Sequence, residues 1–116
     1  MKRTQRALQI WQVLIAAAHN RQMLTYEILA DLIGLGPKGK GAGVLAQTLG
    51  VLMKYCQAKR FPPITALVVN KAAGRPGKGL TTFVNLDEDR ENVFNYPWYH
   101  LAPLTIEDLE LFTGGH

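Results

Sequence analysis

The chain has 116 residues, of which 47% are hydrophobic and 19% are charged, and its formal net charge is +4. This length allows one domain with a single core, and the composition excludes a fibrous, low-complexity or largely disordered protein. The single cysteine, Cys56, excludes an internal disulfide and any metal site built on several cysteines, so we expect a cytoplasmic protein without metal or cofactor.

The first segment, MKRTQRALQIWQVLIAAA, has the basic start and apolar middle of a signal peptide. Its apolar residues recur at spacings of three and four, however, and Gln9 and Gln12 interrupt them. The spacing predicts a retained amphipathic helix over residues 4–20, with its apolar stripe in the core. The apolar stretch is too short to span a bilayer, so we expect no membrane association.

Two further helices are predicted in the first half of the chain. LTYEILADLIG, residues 24–34, has Thr25 as a plausible N-cap and Gly34 at its end. GVLAQTLGVLMKYCQA, residues 43–58, repeats apolar residues at helical spacing. Cys56 lies on this apolar face, and we interpret it as a small core residue.

The remaining segments predict strands and then an acidic extension. ITALVVNK, residues 64–71, is predicted to begin a strand because its valines favour extended backbone. The basic loop AAGRPGKG joins it to a second predicted strand, LTTFVN, residues 80–85. An acidic turn, DEDRE, and an aromatic stretch, FNYPWYH, follow. Thr105 and Asp108 form a capping-box pattern at the start of a short last helix.

Three helices followed by a β-hairpin predict an α+β fold, a small winged helix-turn-helix domain with the hairpin as its wing. We assign residues 1–86 to this domain. Residues 87–116 form an acidic, aromatic C-terminal extension packed on the same domain. In winged-helix proteins the third helix is presented to the major groove, and the wing reaches a neighbouring phosphate run or the minor groove.

The charges are distributed unevenly along the chain. Residues 1–80 contain twelve Lys or Arg and two acids, whereas residues 81–116 contain one Arg and seven acids. This split is typical of a polyanion-binding body with an acidic segment that faces solvent, the body itself or another protein. A chance distribution of solvated charges is the alternative.

The glycine-rich stretch GLGPKGKGAG contains most of a nucleotide-binding P-loop, but Gly41 stands where such a loop has Ser or Thr. A helical pattern, not a buried strand, precedes it, which argues against nucleotide hydrolysis. Lys38 and Lys40 precede the start of the third predicted helix, where free backbone amides also attract anions. A DNA backbone is the anion that we expect there, and a solvated linker is the alternative.

The segments TYEILADLIG, GAGVLAQTLG and ITALVVNK stand in the same order as three segments of the DNA-binding domain of alkylguanine-DNA alkyltransferases. Over roughly residues 5–75 the chain resembles this family and the related alkyltransferase-like proteins. The resemblance implies a winged helix that binds DNA, and it implies that Tyr26 lies near the backbone of the target nucleotide.

The residues that carry the family's chemistry are not present. Thr65 and Ala66 stand where the family has its reactive cysteine and the following histidine, and the arginine that replaces an extruded base falls near Gly43. Alkyl transfer needs an activated thiolate, and Cys56 lies in a different element. The acidic residues have no nearby histidine pair or metal-ligand spacing, so a nuclease site has little support. We therefore expect no enzymatic activity.

We interpret the chain as a non-enzymatic protein that binds double-stranded DNA mainly through the phosphate backbone. The predicted backbone contacts are Tyr26, Lys38, Lys40, Lys71, Arg75 and Lys78. Gln47 and Thr48 are the predicted base-reading residues, and two such side chains predict low sequence specificity.

The alternative is a winged-helix protein-interaction module, such as an adaptor, subunit or inhibitor of a nucleic-acid-processing complex. The apolar third helix favours this hypothesis, and so does the acidic, aromatic extension, through which we expect a protein partner to dock.

Overall fold

The computed structural model of the chain describes residues 3–35, 42–69 and 85–112. These residues form helices and two short strands, in the order α1 Arg3–His19, β1 Leu24–Thr25, α2 Tyr26–Leu32, α3 Ala42–Lys59, β2 Val68–Val69, α4 Leu86–Asn95 and α5 Ile106–Glu110. Two 3₁₀ helices, Ile64–Leu67 and Trp98–His100, precede β2 and follow α4. Within the described ranges, no helix has the length and apolar content to cross a bilayer.

Helix α1 confirms the first predicted helix and lies at the centre of the core. Ile10, Leu14 and Ala18 are fully buried on its apolar face. The ring of Trp11 contacts Tyr55 of α3 edge-on at 5.6 Å and Trp98 at 5.5 Å between ring centroids. Such edge-to-face aromatic pairs add to the stability of an apolar core. Through Trp11, α1 packs against both the middle and the end of the chain.

Helices α2 and α3 confirm the other two helices predicted in the first half. Thr25 is the N-cap of α2, and its hydroxyl accepts a hydrogen bond of 3.1 Å from the amide of Ile28. Gly34, just after α2, has a φ of +77°, a conformation that glycine adopts without strain. Helix α3 buries Leu45, Leu49 and other residues of its apolar face against α1.

The predicted winged-helix fold is wrong. The described residues are mostly helical, at 72% helix and 5% strand, and their sheet has two parallel strands. Strand β2 pairs with β1, so Leu24 lies opposite Val68 and Thr25 opposite Val69. A wing would instead need an antiparallel partner from later in the chain. Of the predicted second strand, residues 80–84 lie outside the described residues.

The predicted strand over ITALVVNK shows why the interpretation failed. Its first four residues, Ile64–Leu67, form a 3₁₀ helix after Pro63, and all four are buried. Val68 and Val69 are buried as well, so this run has no alternation between core and solvent. A short apolar run without alternation does not distinguish a strand from a buried helical turn.

The acidic segment predicted as a turn forms helix α4. The side chain of Asn85 caps this helix by accepting a 3.1 Å hydrogen bond from the amide of Glu88. The acidic residues of the first turn lie at the positive end of the helix dipole, where carboxylates are favourable. An Asn followed three residues later by Glu is a capping pattern, and it is the signal that predicts this helix.

The C-terminal extension contributes to the same core as α1 and α3. Val93, Trp98, Leu104 and Leu109 are buried in one cluster with residues of both helices. The predicted capping box of the last helix is confirmed. The amide of Thr105 donates to the Asp108 carboxylate at 3.0 Å, and the amide of Asp108 donates to the Thr105 hydroxyl at 3.2 Å. The hydrogen bond from the Thr105 amide to the carboxylate, together with one from the Thr105 side chain, lowers the pKa of Asp108.

Candidate nucleic-acid interface

The predicted DNA-binding residues divide into two groups. Five of them lie outside the described residues, namely Lys38, Lys40, Lys71, Arg75 and Lys78. Three of them, Tyr26, Gln47 and Thr48, belong to α2 and α3. The candidate interface is therefore built from these two helices and from α1, which packs against α3.

Tyr26 is the first residue of α2, directly after the N-cap Thr25. Its side chain is half-buried and packs against the hydrophobic core. This contact gives Tyr26 a packing role in addition to the DNA-backbone role that the family resemblance implies.

Thr48 is not available to a base edge, which corrects its predicted role. Its side chain is 0% exposed, and its hydroxyl donates a 2.7 Å hydrogen bond to the carbonyl of Val44 one turn earlier. The position lies three residues after Leu45 and one before Leu49, both of which are buried. This spacing on the apolar face is the signal that indicates burial.

Gln47, in contrast, lies on the exposed side of α3 and contacts a cation. The guanidinium of Arg3 donates a hydrogen bond of 3.1 Å to the side-chain oxygen of Gln47. Both side chains are exposed, and the partner of Arg3 in this bond is uncharged. The positive charge of Arg3 is therefore not cancelled by this contact.

Helices α1 and α3 run in the same direction. Arg3 contacts Gln47 near the start of both helices, and Trp11 contacts Tyr55 two turns further along. The two residues of each pair are 44 positions apart, which is possible only if the helices are aligned and not opposed. The amino ends of α1 and α3 therefore lie at the same end of the molecule.

This end carries positive charge from two sources. Neither α1 nor α3 has an acidic residue in its first turn, whereas α2, α4 and α5 all do. The backbone amides of the first turns contribute partial positive charge. Arg3 and Arg6 add side-chain cations, and residues three apart are neighbours on a helix surface. We call the surface of Arg3, Arg6 and Gln47 the basic end.

The acidic extension contacts the opposite end of the two helices. Arg21, just after α1, binds both carboxylate oxygens of Glu91 in α4. Lys59, the last residue of α3, lies close enough to Asp108 of α5 to lower the pKa of that carboxyl. Glu91 and Asp108 therefore lie near cations at the carboxyl ends of α1 and α3, not at the basic end.

Cys56 does not offer a reactive group. It is 1% exposed, and burial raises the pKa of its thiol to about 12. A thiol of this kind is not ionised near neutral pH and is a poor nucleophile. Within the described residues, no group of three or more His, Cys, Asp or Glu side chains is arranged to hold a metal ion.

No protein-family model, curated protein or solved structure matches this chain. The resemblance to alkylguanine-DNA alkyltransferases therefore stays a prediction made from three short segments. The candidate interface has to be judged on its own geometry and charge.

Proposed function

We propose that the protein binds double-stranded DNA through the basic end, without enzymatic activity. The observation that carries this proposal is the hydrogen bond between Arg3 and Gln47. It joins the amino ends of two parallel helices, both without acids in their first turns, at a point where an arginine keeps its charge. A surface of this kind favours a chain of phosphates over an isolated neutral ligand.

The chemistry of the basic end matches a DNA backbone. A guanidinium binds a phosphate with two parallel hydrogen bonds, and backbone amides at a helix start add to the attraction. Gln47 is the side chain of the basic end that is suited to a base edge, since its amide can both donate and accept. Contacts of this composition bind many sequences with similar affinity.

The distribution of acids also supports the proposal. Carboxylates near a phosphate-binding surface would repel the ligand, but Glu91 and Asp108 lie beside Arg21 and Lys59 instead. Arg21 lies just after the carboxyl end of α1 and Lys59 is the last residue of α3, whereas the basic end lies at the start of both helices. Glu91 and Asp108 therefore lie away from the surface that is proposed to bind phosphates.

A duplex titration at several salt concentrations tests this proposal. If four to six phosphates are neutralised, the logarithm of the binding constant should fall against the logarithm of salt with a slope of roughly −4 to −5. Replacing Arg3 by Glu should weaken binding about tenfold and make the slope shallower by about one. Fluorescence polarisation with a labelled duplex measures both quantities.

Lys54→Glu is the matched control for Arg3→Glu. It changes the net charge by the same amount, but Lys54 lies seven residues beyond Gln47 on the same helix, which is about 10 Å along the axis. That distance is about one Debye length at 0.1 M salt, so we expect a clearly smaller effect. Equal effects of the two variants, or none from Arg3→Glu, would contradict the proposal. Charge reversal at Lys40 and Lys78 tests the predicted cations that lie outside the described residues in the same assay.

A second candidate function is a protein-interaction module, and the surface of α2 favours it. Ile28 and Leu32 are 49% and 61% exposed, four residues apart on one side of the helix. Glu27 and Asp31, which are also exposed, stand beside them. Exposed aliphatic side chains bordered by charges are typical of protein-binding helices.

Sedimentation analysis separates the two candidates. Concentration-dependent self-association that Leu32→Glu abolishes, together with weak duplex binding, would favour the interaction module. A monomer that binds duplex with the salt dependence given above would favour DNA binding.

A further inference from the structure

An open cleft lies at the end of the molecule opposite the basic end, between the segment that follows α3 and the carboxyl end of α4. Its volume is about 450 Å³. It is lined by residues 60–62 and by Asn92, Asn95, Tyr96 and Pro97. The cleft shares no residue with the basic end, so an inference about it does not rest on the proposed DNA binding.

The apolar part of the cleft is rigid and aromatic. The rings of Phe61 and Tyr96 contact each other and form one continuous aromatic surface of the cleft, with their centroids 5.7 Å apart and tilted by 51°. Both rings contact Trp98, which is buried behind them. The indole of Trp98 donates a 2.8 Å hydrogen bond to the carbonyl of Val93, which fixes its position. This aromatic surface is therefore held in place before any ligand arrives.

Arg60 borders the cleft in a backbone conformation that arginine rarely adopts. Its φ is +59°, in the left-handed region that glycine favours at the end of a helix. The amide of Phe61 closes α3 by donating to the carbonyl of Cys56 at 2.9 Å. A glycine at position 60 would adopt this conformation without strain. The presence of arginine there therefore points to a role of its side chain.

Arg21, at the equivalent position after α1, has the same kind of backbone conformation. Its φ is +53°. Its guanidinium binds Glu91 and lies 4.9 Å from the ring of Phe94, so contacts within the protein account for it. For Arg60, we find no hydrogen bond or ion pair of the guanidinium in residues 3–35, 42–69 and 85–112. Its side chain instead lines the cleft.

The polar part of the cleft offers hydrogen-bond donors beside an acidic helix. Asn95 accepts a 3.4 Å hydrogen bond from Arg21 with its side-chain oxygen, so the donor that it can offer to a ligand is its amide nitrogen. Asn92 stands three residues earlier on α4, and Glu88 four residues before that. Residues at these spacings share one helix face. A ligand that fits here has carbonyl acceptors and apolar rings, and its charge is positive where it faces Glu88.

We propose that this cleft binds a proline-rich peptide segment in the polyproline II conformation, flanked by a Lys or Arg. Polyproline II has no internal hydrogen bonds, so its carbonyls are free to accept from Arg60, Asn92 and Asn95. Its proline rings pack on the aromatic surface of Phe61 and Tyr96, as in other grooves that recognise this conformation. The flanking cation pairs with Glu88. Single-stranded DNA would also stack on the aromatic rings, but the acids of α4 oppose its phosphates.

Peptide binding is tested with the full chain and a fluorescein-labelled peptide of about ten residues, long enough to span about 30 Å as polyproline II. The peptide carries two Pro-Pro pairs and a terminal Arg. A control peptide has alanine in place of every proline. We expect saturable polarisation for the first peptide and none for the second, with amide chemical-shift changes at Arg60, Asn92, Asn95 and Tyr96. No saturation, or shift changes confined to other residues, would overturn the proposal.

The variant Arg60→Gly separates binding from folding. Because glycine favours this backbone conformation, the melting temperature should stay the same or rise, while peptide affinity should fall about tenfold through the lost charged hydrogen bonds. Arg3→Ala is the matched control and should leave peptide affinity unchanged. A loss of duplex binding in Arg60→Gly, or displacement of the peptide by a thymidine oligonucleotide, would identify the cleft as a nucleic-acid surface and overturn the proposal.

Discussion

Cys56 illustrates how burial decides the chemistry of a single residue. The thiol is 1% exposed, and desolvation raises its pKa to about 12. At pH 8 nearly all of the thiol is then protonated. The sequence predicted a core residue from the helical spacing around Cys56, and that prediction is confirmed.

We therefore expect Cys56 to resist alkylation in the folded protein. Iodoacetamide at pH 8 should label the native chain very slowly and should label it fully in guanidinium chloride, where the pKa returns to its ordinary range. Mass spectrometry after quenching measures the extent of labelling. Rapid, complete labelling of the native chain would show that the thiol is accessible and ionised.

Gln47 and Thr48 show the limit of sequence reasoning at this scale. Both are polar residues near the start of α3, and both were predicted to face DNA. A turn of 100° between neighbouring residues separates them on the helix. Gln47 reaches Arg3, whereas Thr48 turns into the core and satisfies its hydroxyl on the carbonyl of Val44. Polarity alone did not distinguish them.

At the scale of elements, helix signals were reliable and strand signals were not. The caps at Thr25 and Thr105 act through hydrogen bonds within four residues, so the local sequence contains all of the information. The pairing of β1 with β2 joins residues more than forty positions apart. No local pattern specifies such a partner, which is why the hairpin was predicted in its place.

Gly50 gives a prediction about α3. It lies inside the helix, and no atom of the described residues would lie within 4 Å of an added Cβ. Gly50→Ala should therefore stabilise the protein by about 0.5–1 kcal/mol, because alanine loses less backbone entropy in a helix than glycine. Urea unfolding of the variant measures the change.

Gly34→Ala is the contrasting variant. Space for a Cβ is available there too, but the φ of +77° strains any other residue. We expect a loss of about 1 kcal/mol. If Gly50→Ala destabilised the protein as much as Gly34→Ala does, the higher helix propensity of alanine would not determine the effect of this substitution on stability.

At the scale of the whole molecule, the extension and the helical body form one unit. Leu109 of α5 is fully buried in the cluster that also contains Trp11 and Leu49. Helix α5 has five residues and cannot be stable alone, so its folding depends on the core that it completes.

Leu109→Ala should accordingly destabilise the entire protein, by about 2–5 kcal/mol through the lost burial and the cavity that it leaves. Circular dichroism at 222 nm and tryptophan fluorescence should report one coincident urea transition in the variant and in the parent chain. Two separate transitions would show that the extension unfolds on its own. Leu111→Ala, at an 83% exposed position, is the control and should have little effect.

The sequence by itself determined the helices of the first half, their caps, the core position of Cys56 and the division of charge between body and extension. These depend on spacing and composition, which are properties of neighbouring residues. The tertiary structure decided the parallel pairing of β1 with β2 and the common direction of α1 and α3. It also brought acids of the extension to cations near the carboxyl ends of those helices, because charges distant in sequence meet only where the shared core brings their elements together.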